Sequence, residues 1–432
     1  MANNLDSNIT RKVLKKFLPM FSKDCVSAKS VNRSIISDRD FDPSSGDTVD
    51  VKRPHQFTAY RNATGDLTSA TADSLVAGKA SATVQDYITV YTGWSNVERA
   101  LKLDQLDEIL KPMVYRAVSE LETSLNSFIL KNSAHQIGVA GTSLTTWKQV
   151  SRVDAFANEI GFPNDGNLMA QLGSFDVANL ADVQAGQNNN NQNAMAWERA
   201  QLTNNIAGIN YFRSNALVSH SPGTHTGTLT LSATPTQTYL VAKDTYQTSL
   251  SITGFGNNVT GAVKAGDVIQ VTTAGSGYLQ QQTKQTAYGE GGNEILYTAA
   301  VSADADSNGS GVATVIVNGP AIFEASGAYN TIASALASGD SVSVVSGAVG
   351  STNKPNLFYH KDAFGLCTVA LPRLEGGVES SSASHEGFTM RVSKFADGVT
   401  NTQKLRIDML PAFACYNPLL AGRLFGGTTP GQ

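Results

Sequence analysis

Between residues 110 and 131 the chain reads LKPMVYRAVSELETSLNSFILK, and apolar side chains recur there at three- and four-residue steps. Leu110, Met113, Val114, Ala117, Val118, Leu121, Leu125, Phe128 and Ile129 fall on one face of an α-helix. Arg116, Glu120, Glu122 and Asn126 fall on the other. A helix over 110–131 is roughly 30 Å long at 1.5 Å per residue, enough to cross a small domain. One apolar stripe of that length must lie along another layer, and a sheet is the expected one. Pro112 lacks an N–H and clashes with the preceding turn, so the helix is expected to start near Asp107 with Pro112 close to its first turn, a kink being the alternative.

The rest of the chain supplies strands. Of 432 residues only 16% are charged, and the formal net charge is −4. Gly, Ser, Thr, Asn and Ala take the place of charge, which suits a β-rich protein with much covered surface. The net charge excludes a global nucleic-acid footprint. Cys25, Cys367 and Cys415 are too few and too far apart for a disulfide framework or a zinc site. No apolar run reaches membrane-spanning length. The first 21 residues interleave lysines with apolar residues at helical spacing, so they do not form a signal peptide, and cytoplasmic synthesis is expected.

Residues 1–40 read as an amphipathic helix ended by Pro19, followed by an extended arm. Eight Lys or Arg against four Asp make this segment +4. Residues 46–90 read as two strands, 48–57 and 79–90, joined by a Gly-, Thr- and Ser-rich tip carrying Arg61, Asp66 and Lys79. A hairpin of that length is marginal alone and is expected to lie on a neighbour. A capping box at 95–98 starts a short helix to about residue 103. Helices follow at 145–160, 175–183 (packing through Phe175, Leu180 and Val183) and 195–202, with strands at 168–172 and within 206–217.

Composition changes at Pro222. Residues 222–353 contain no Arg, three Lys and eight acids, a charge of −5. Short alternating runs at 228–232, 239–242, 247–253, 267–272, 295–303, 312–317 and 341–345 predict a small β-barrel or sandwich. After Lys354 mixed character returns, with strands at 357–359, 366–371, 387–395, 404–410 and 413–416. The stretch 222–353 is therefore an insertion in a host domain.

No catalytic motif is present. Gly254-Phe255-Gly256 lacks the context of a phosphate loop. The pair His220 and His225 has no acid or Cys close in sequence to complete a metal site. Asp304 and Asp306 lack the glycine and glutamate of a calcium loop. Neither a cofactor nor an enzymatic activity is expected.

The order of parts, together with NLDSNITRKVLKKFLP (4–19), KRPHQF (52–57), GKASATVQDYITV (78–90), YLQQQTKQ (278–285), KPNLFY (354–359) and KFADG…QKLRIDMLPAF (394–413), resembles the major capsid (coat) proteins of short-tailed bacteriophages of the Lederbergvirus type. The resemblance implies an α+β, HK97-like capsid fold with an all-β barrel insertion domain. Its parts would be an N-terminal arm (1–45), an E-loop hairpin (46–92), and a P-domain (93–160) holding the spine helix 107–131. An A-domain (161–221 and 354–385) would be split by the insertion (222–353), and closing P-domain strands would occupy 386–432. The core face of the spine helix would be Met113, Val114, Ala117, Val118, Leu121, Leu125 and Phe128. Arg11, Lys12, Lys15 and Lys16, with Arg61, Asp66 and Lys79, are the candidate contacts to other subunits or to scaffolding protein. The implied partners are further copies in hexamers and pentamers, a scaffolding protein, a portal and packaged double-stranded DNA bound without sequence preference, with no membrane. The implied location is the virion, after assembly in a bacterial cytoplasm. The chain begins at the arm, which implies a separate scaffolding protein and no obligatory cleavage. The turn 243–245 is shorter than the acidic loop the family can carry. The competing reading is a secreted β-rich adhesin or carbohydrate-binding protein.

Overall fold

Apolar periodicity decides most of the element boundaries. The computed structural model describes residues 7–36, 48–61, 63–68, 72–95, 106–185, 205–206, 208–374, 379–397 and 402–427. In chain order come α1 (Ser7–Asp24), α2 (Ser27–Ser30), β1 (Thr48–Lys52), β2 (Lys79–Val84), β3 (Ile88–Ser95), α3 (Leu106–Asn132), β4 (His135–Ile137), α4 (Trp147–Ile160), β5 (Leu168–Leu172) and α5 (Ser174–Ala185). Then come β6 (Asn205–Ile206), β7 (Ile209–Arg213), β8 (Leu229–Leu231), α6 (Tyr239–Ala242), β9 (Gln247–Thr253), β10 (Val268–Val271), β11 (Thr298–Val301), β12 (Val312–Asn318) and β13 (Ser341–Val344). The chain closes with β14 (Asn356–His360), β15 (Phe364–Thr368), β16 (Glu379–His385), β17 (Phe388–Asp397), β18 (Thr402–Met409), β19 (Pro411–Cys415) and β20 (Ala421–Leu424). The short helix expected before 103, the polar loop 188–191 and the helix 195–202 lie outside the described residues.

The chain divides into two compact units. The first contains 1–50, 81–126 and 364–414; the second contains 51–80, 127–363 and 415–432. The division falls inside α3 and inside the hairpin.

In the first unit, β16-β17-β18-β3 form an antiparallel sheet, and β1-β2-β19-β15 form another. The register Val392↔Ile407 and Ile407↔Val90 sets β-branched residues opposite one another, the pairing that stabilises sheets best. The second strand of the hairpin is two strands, not one. β2 pairs with β19 and β3 with β18. Both partners change sheet at the same level, where the Gln85 N–H donates to the Pro411 carbonyl at 2.8 Å. Pro411 has no N–H, so it opens a strand rather than continuing one. The first strand ends at Lys52, followed by one more backbone bond, from the Arg53 N–H to the Gly78 carbonyl at 2.9 Å, and does not reach 57.

Helix α1 does not stop at Pro19 but runs five residues beyond it. The apolar stripe explains why: Val13, Leu14, Phe17, Leu18 and Phe21 are all buried, and Phe21 meets Phe388 edge-on at 5.3 Å. Burying Phe21 offsets the roughly 3 kcal/mol cost of an interior proline. The arm thus docks on its own subunit's sheet through β16 and β17. On α3, Met113, Val114, Ala117, Val118, Leu121 and Leu125 are buried, whereas Phe128 is half-buried and Ile129 and Leu130 take the interior places. The face expected to meet water is partly covered. Glu122 and Asn126 are buried. The carboxylate of Glu122 accepts the N–H groups of Val26 and Ser27, the latter at 2.7 Å, and Asn126 Nδ2 donates to Ser27 Oγ at 3.3 Å. The free N–H groups at the start of α2 need an acceptor, and a carboxylate at a helix N-terminus supplies it.

In the second unit, β4-β20-β14-β5-β7-β6 form a mixed sheet. Helix α4 buries Val150, Val153, Phe156, Ala157 and Ile160. At its start the Thr146 N–H donates to Gln149 Oε1 at 3.2 Å. Gly161 ends it with φ 91°, where a Cβ would lie 2.9 Å from the Gln281 backbone nitrogen. Helix α5 buries Val177, Leu180 and Ala181 but leaves Phe175 86% exposed, so Phe175 is not a packing residue. Strands β10-β11-β12-β9-β8-β13 close into a barrel. The run 239–242, expected as a strand, is the one-turn helix α6; it buries Tyr239 and Ala242, a helical i, i+3 spacing.

The two ends of the barrel segment are clasped by one buried carboxylate. Asp267 Oδ1 accepts from His220 Nε2 and from Ser346 Oγ, both at 2.8 Å. Its Oδ2 accepts the N–H groups of Gly223 (3.0 Å) and Lys264 (2.8 Å). Backbone bonds between His220 and Asn353 close the same neck. Burial alone would raise the Asp267 carboxyl; these hydrogen bonds outweigh it and hold the group below the ordinary carboxylate range. A depressed pKa contributes stability that is present above the unfolded value of about 4 and is lost as pH falls through the folded value. Asp267→Ala should therefore cost about 3–5 kcal/mol, since four donors lose a buried acceptor. It should also flatten the acid limb of stability against pH. Thermal unfolding between pH 3 and 7 measures both, and an unchanged acid limb would refute this account.

Candidate functional site

Among the described residues, one group of side chains has the composition of a metal site: Asp165, His360 and Asp362. Its geometry gives it another role. His360 Nε2 bonds Asp165 Oδ1 at 2.9 Å, and Nδ1 accepts the Asp362 N–H at 3.2 Å. Both ring nitrogens are thus engaged in closing a corner. The other candidates are equally occupied. His220 bonds Asp267, and His225 Nδ1 lies 3.0 Å from the Gly223 carbonyl. Asp304 and Asp306 accept the N–H groups of Ala265 (2.7 Å) and Gly261 (2.6 Å) on a separate loop, tying the two loops together.

The candidate residues that remain are on the arm and the hairpin. Arg11, Lys15 and Lys16 project from the exposed side of α1, while the Lys12 side chain lies outside the described residues. On the hairpin, Arg61, Asp66 and Lys79 are exposed, but Asp66 is spent locally. Its Oδ1 accepts the Thr68 N–H at 2.9 Å and the Thr68 hydroxyl, and these bonds pull its carboxyl down. The tip is closed at its base by Asp73, which accepts the Thr58 N–H at 2.6 Å and its hydroxyl at 3.0 Å. Four large apolar side chains, Phe57, Tyr60, Leu67 and Leu75, are exposed along this excursion.

The base of the excursion is fastened to the barrel segment, within the second unit. Arg53 Nε donates to the carbonyls of Lys79 (3.0 Å) and Lys243 (3.2 Å), and its other arm reaches the Tyr416 carbonyl. Its guanidinium sits 4.2 Å from the centre of the Tyr246 ring, a cation–π contact. Lys284 Nζ donates to Gln56 Oε1 at 2.7 Å and to the Asn330 carbonyl at 3.1 Å; burial pushes its ammonium down to about 8. Val76 packs on Tyr239 and Ile322, and Tyr239 stacks on Tyr329 at 3.7 Å. Gly78 is required for this approach, because a Cβ there would lie 2.6 Å from the Lys243 carbonyl oxygen and 2.7 Å from the Tyr239 hydroxyl.

Sequence reasoning did not single out Arg53, Gly78 or Lys284. The signal available was indirect: Gly78 opens a strand directly after a long polar tip. Gly78→Val should lift this segment from the barrel at a cost of about 1–3 kcal/mol. Hydrogen exchange of residues 51–80 should rise while that of α4 stays unchanged; equal protection in both proteins would refute the fastening.

The chain was compared with known proteins. The sequence model of the family described as "P22 coat protein - gene protein 5" matches residues 1–427. A "Major capsid protein" of Acyrthosiphon pisum secondary endosymbiont phage 1 is 41% identical over 428 residues, covering 99% of this chain and 100% of that protein. Among solved structures, one from Mycobacterium phage Che8 covers 93% of this chain and 90% of its own at 8% identity, with a TM-score of 0.44. The "Asymmetric unit of bacteriophage PhiM1 mature capsid" covers 88% and 81% at 10% identity, with a TM-score of 0.40.

Proposed function

The chain belongs to the P22 coat protein family, and on that premise we propose that its copies join, without any chemical step, into the closed shell of a virion. It is a major capsid protein of a tailed bacteriophage, a structural protein and not an enzyme. The observation that carries this is the family match from residue 1 to 427. The adhesin reading rested on composition alone and is set aside.

The finer assignments follow from the same premise. We assign the chain to the Lederbergvirus type, with α3 as the spine helix of an HK97-like P-domain and the barrel segment 222–353 as an insertion domain. The hairpin serves as the E-loop. Its exposed Phe57, Tyr60, Leu67 and Leu75 support a role as a sideways arm that lies on the next subunit. Rings of identical subunits need such heterologous contacts, where one patch meets a different patch on the neighbour. Copies would form hexamers and pentamers around a scaffolding protein and a portal in the host cytoplasm, then enclose double-stranded DNA. A net charge of −4 suits a wall facing DNA, since tight phosphate binding would need many Lys and Arg contacts. Arg11, Lys12, Lys15 and Lys16 would meet an acidic partner.

The turn after α6, 243–245, is short beside the acidic loop that the resemblance would allow, which speaks against such a contact here. There Lys243 pairs with Asp244 next to it at 2.5 Å, and the Lys243 carbonyl is held by Arg53. Electron cryo-microscopy of the purified protein, alone and with a co-expressed scaffolding protein, tests the proposal. Shells or capsomer rings are expected; a monodisperse monomer under both conditions would overturn it.

A further inference from the structure

In the first unit a groove of about 480 Å³ runs between α1 and β16. Leu14, Leu18 and Pro19 form its apolar floor, and Ser381–Ser384 of β16 form one wall. Among the described residues β16 is an edge strand whose outer side is joined to no other strand of its sheet. Arg11, Lys15 and Arg373 stand on the rim, all exposed. Among the described residues none of the three cations has an acid to pair with. Among the described residues the acids at the two ends of β16 are committed elsewhere: Glu386 accepts from Ser22, and Glu379 faces Lys394 at 3.9 Å.

We propose that this groove receives the acidic segment 38–47, DRDFDPSSGD, of a second copy of the chain. The segment carries four Asp against one Arg, a charge of −3, and Phe41 stands between Asp40 and Asp42. An aromatic flanked by carboxylates complements an apolar floor flanked by cations. Backbone groups along the open edge of β16 can bond an extended segment laid beside them, the mode by which exposed strand edges take peptides. Each copy then carries one acidic segment and one receptor, the head-to-tail arrangement from which rings are built. The assignment rests on the reading of the chain as a self-assembling coat protein, and it names one contact within that assembly.

The test uses full-length chains. Phe41→Cys and Ser382→Cys proteins are prepared separately, mixed, assembled and oxidised. A covalent dimer on a non-reducing gel, stronger than in either variant alone, is expected; the native cysteines are present in every sample and set the background. Particles that assemble without such a dimer overturn this contact and leave the capsid reading standing. A wild-type chain that never assembles overturns that reading instead. In a chain carrying both cysteines, closure only within the monomer also overturns the contact. Independently, the double variants R11E/K15E and D40K/D42K should each slow assembly about tenfold, and combining all four changes should recover most of the rate. Losses that simply add would count against charge pairing.

Discussion

Val118→Asp should yield no soluble, folded subunit. Val118 lies on the buried face of α3, one turn from Val114 and Leu121, both of which are fully buried. Removing the valine loses about 1.5–3 kcal/mol of burial. A carboxylate placed there loses its hydration and finds no donor on a face of Met, Val, Ala and Leu, which adds several kcal/mol. Total stabilities are only about 5–15 kcal/mol, so the sum consumes most of what a domain has. Two controls separate burial from charge. Tyr115→Asp, on a side chain 54% exposed, should fold normally, and Phe128→Ser, half-buried, should fall between. Soluble yield and circular dichroism read the series. A Val118→Asp protein with the wild-type melting temperature would refute the assignment of this face.

That helix also shows where sequence was readable and where it was not. Its apolar stripe obeys a helical period, so its extent came within one residue at each end, 107–131 against Leu106–Asn132. The burial of Glu122 could not be read, because its partners are N–H groups 95 and 96 positions earlier in the chain. Arg423 is a similar case. It is fully buried and donates to the carbonyls of Leu130, near the end of α3, and Gly266. Nothing in the local run AGRL marks it as a helix cap, and β20 itself was not anticipated. Strand β16 (ESSSASH) escaped for a different reason: a serine run has no hydrophobic alternation, and pairing with β17 makes it a strand. Strands β9 and β12 of the barrel were legible because apolar residues alternate with polar ones along them. At the hairpin base, KRPHQF, GKASATV and YLQQQTKQ stood out individually in the sequence. That they meet, through Arg53, Gln56, Gly78 and Lys284, is a fact of tertiary structure alone.

Removing residues 61–71 should leave a folded subunit that builds no shell. The boundaries follow from geometry. Thr58 and Asp73 close the excursion, so cutting between them and joining 60 to 72 through a short Gly-Ser link keeps that pair. It also keeps Arg53, Gln56, Val76 and Gly78, which fasten the base to the barrel segment. The deletion removes Arg61, Asp66 and the exposed Leu67, none of which supports the interior of the chain. Loop-closure entropy changes only slowly with length, by about 0.6 kcal/mol per halving, so the melting temperature should move by no more than a few degrees. Assembly should respond differently. With the hairpin lying on the next subunit, as proposed, each subunit would lose one arm of a repeated contact, and a deficit of about 1.4 kcal/mol at a single contact already lowers its association constant tenfold. Across a closed shell the deficit recurs at every subunit, and the assembled fraction should fall to background in sedimentation and light scattering. A deletion variant that melts like the wild type and still forms normal particles would show that the tip is dispensable and that neighbouring subunits are held by other surfaces.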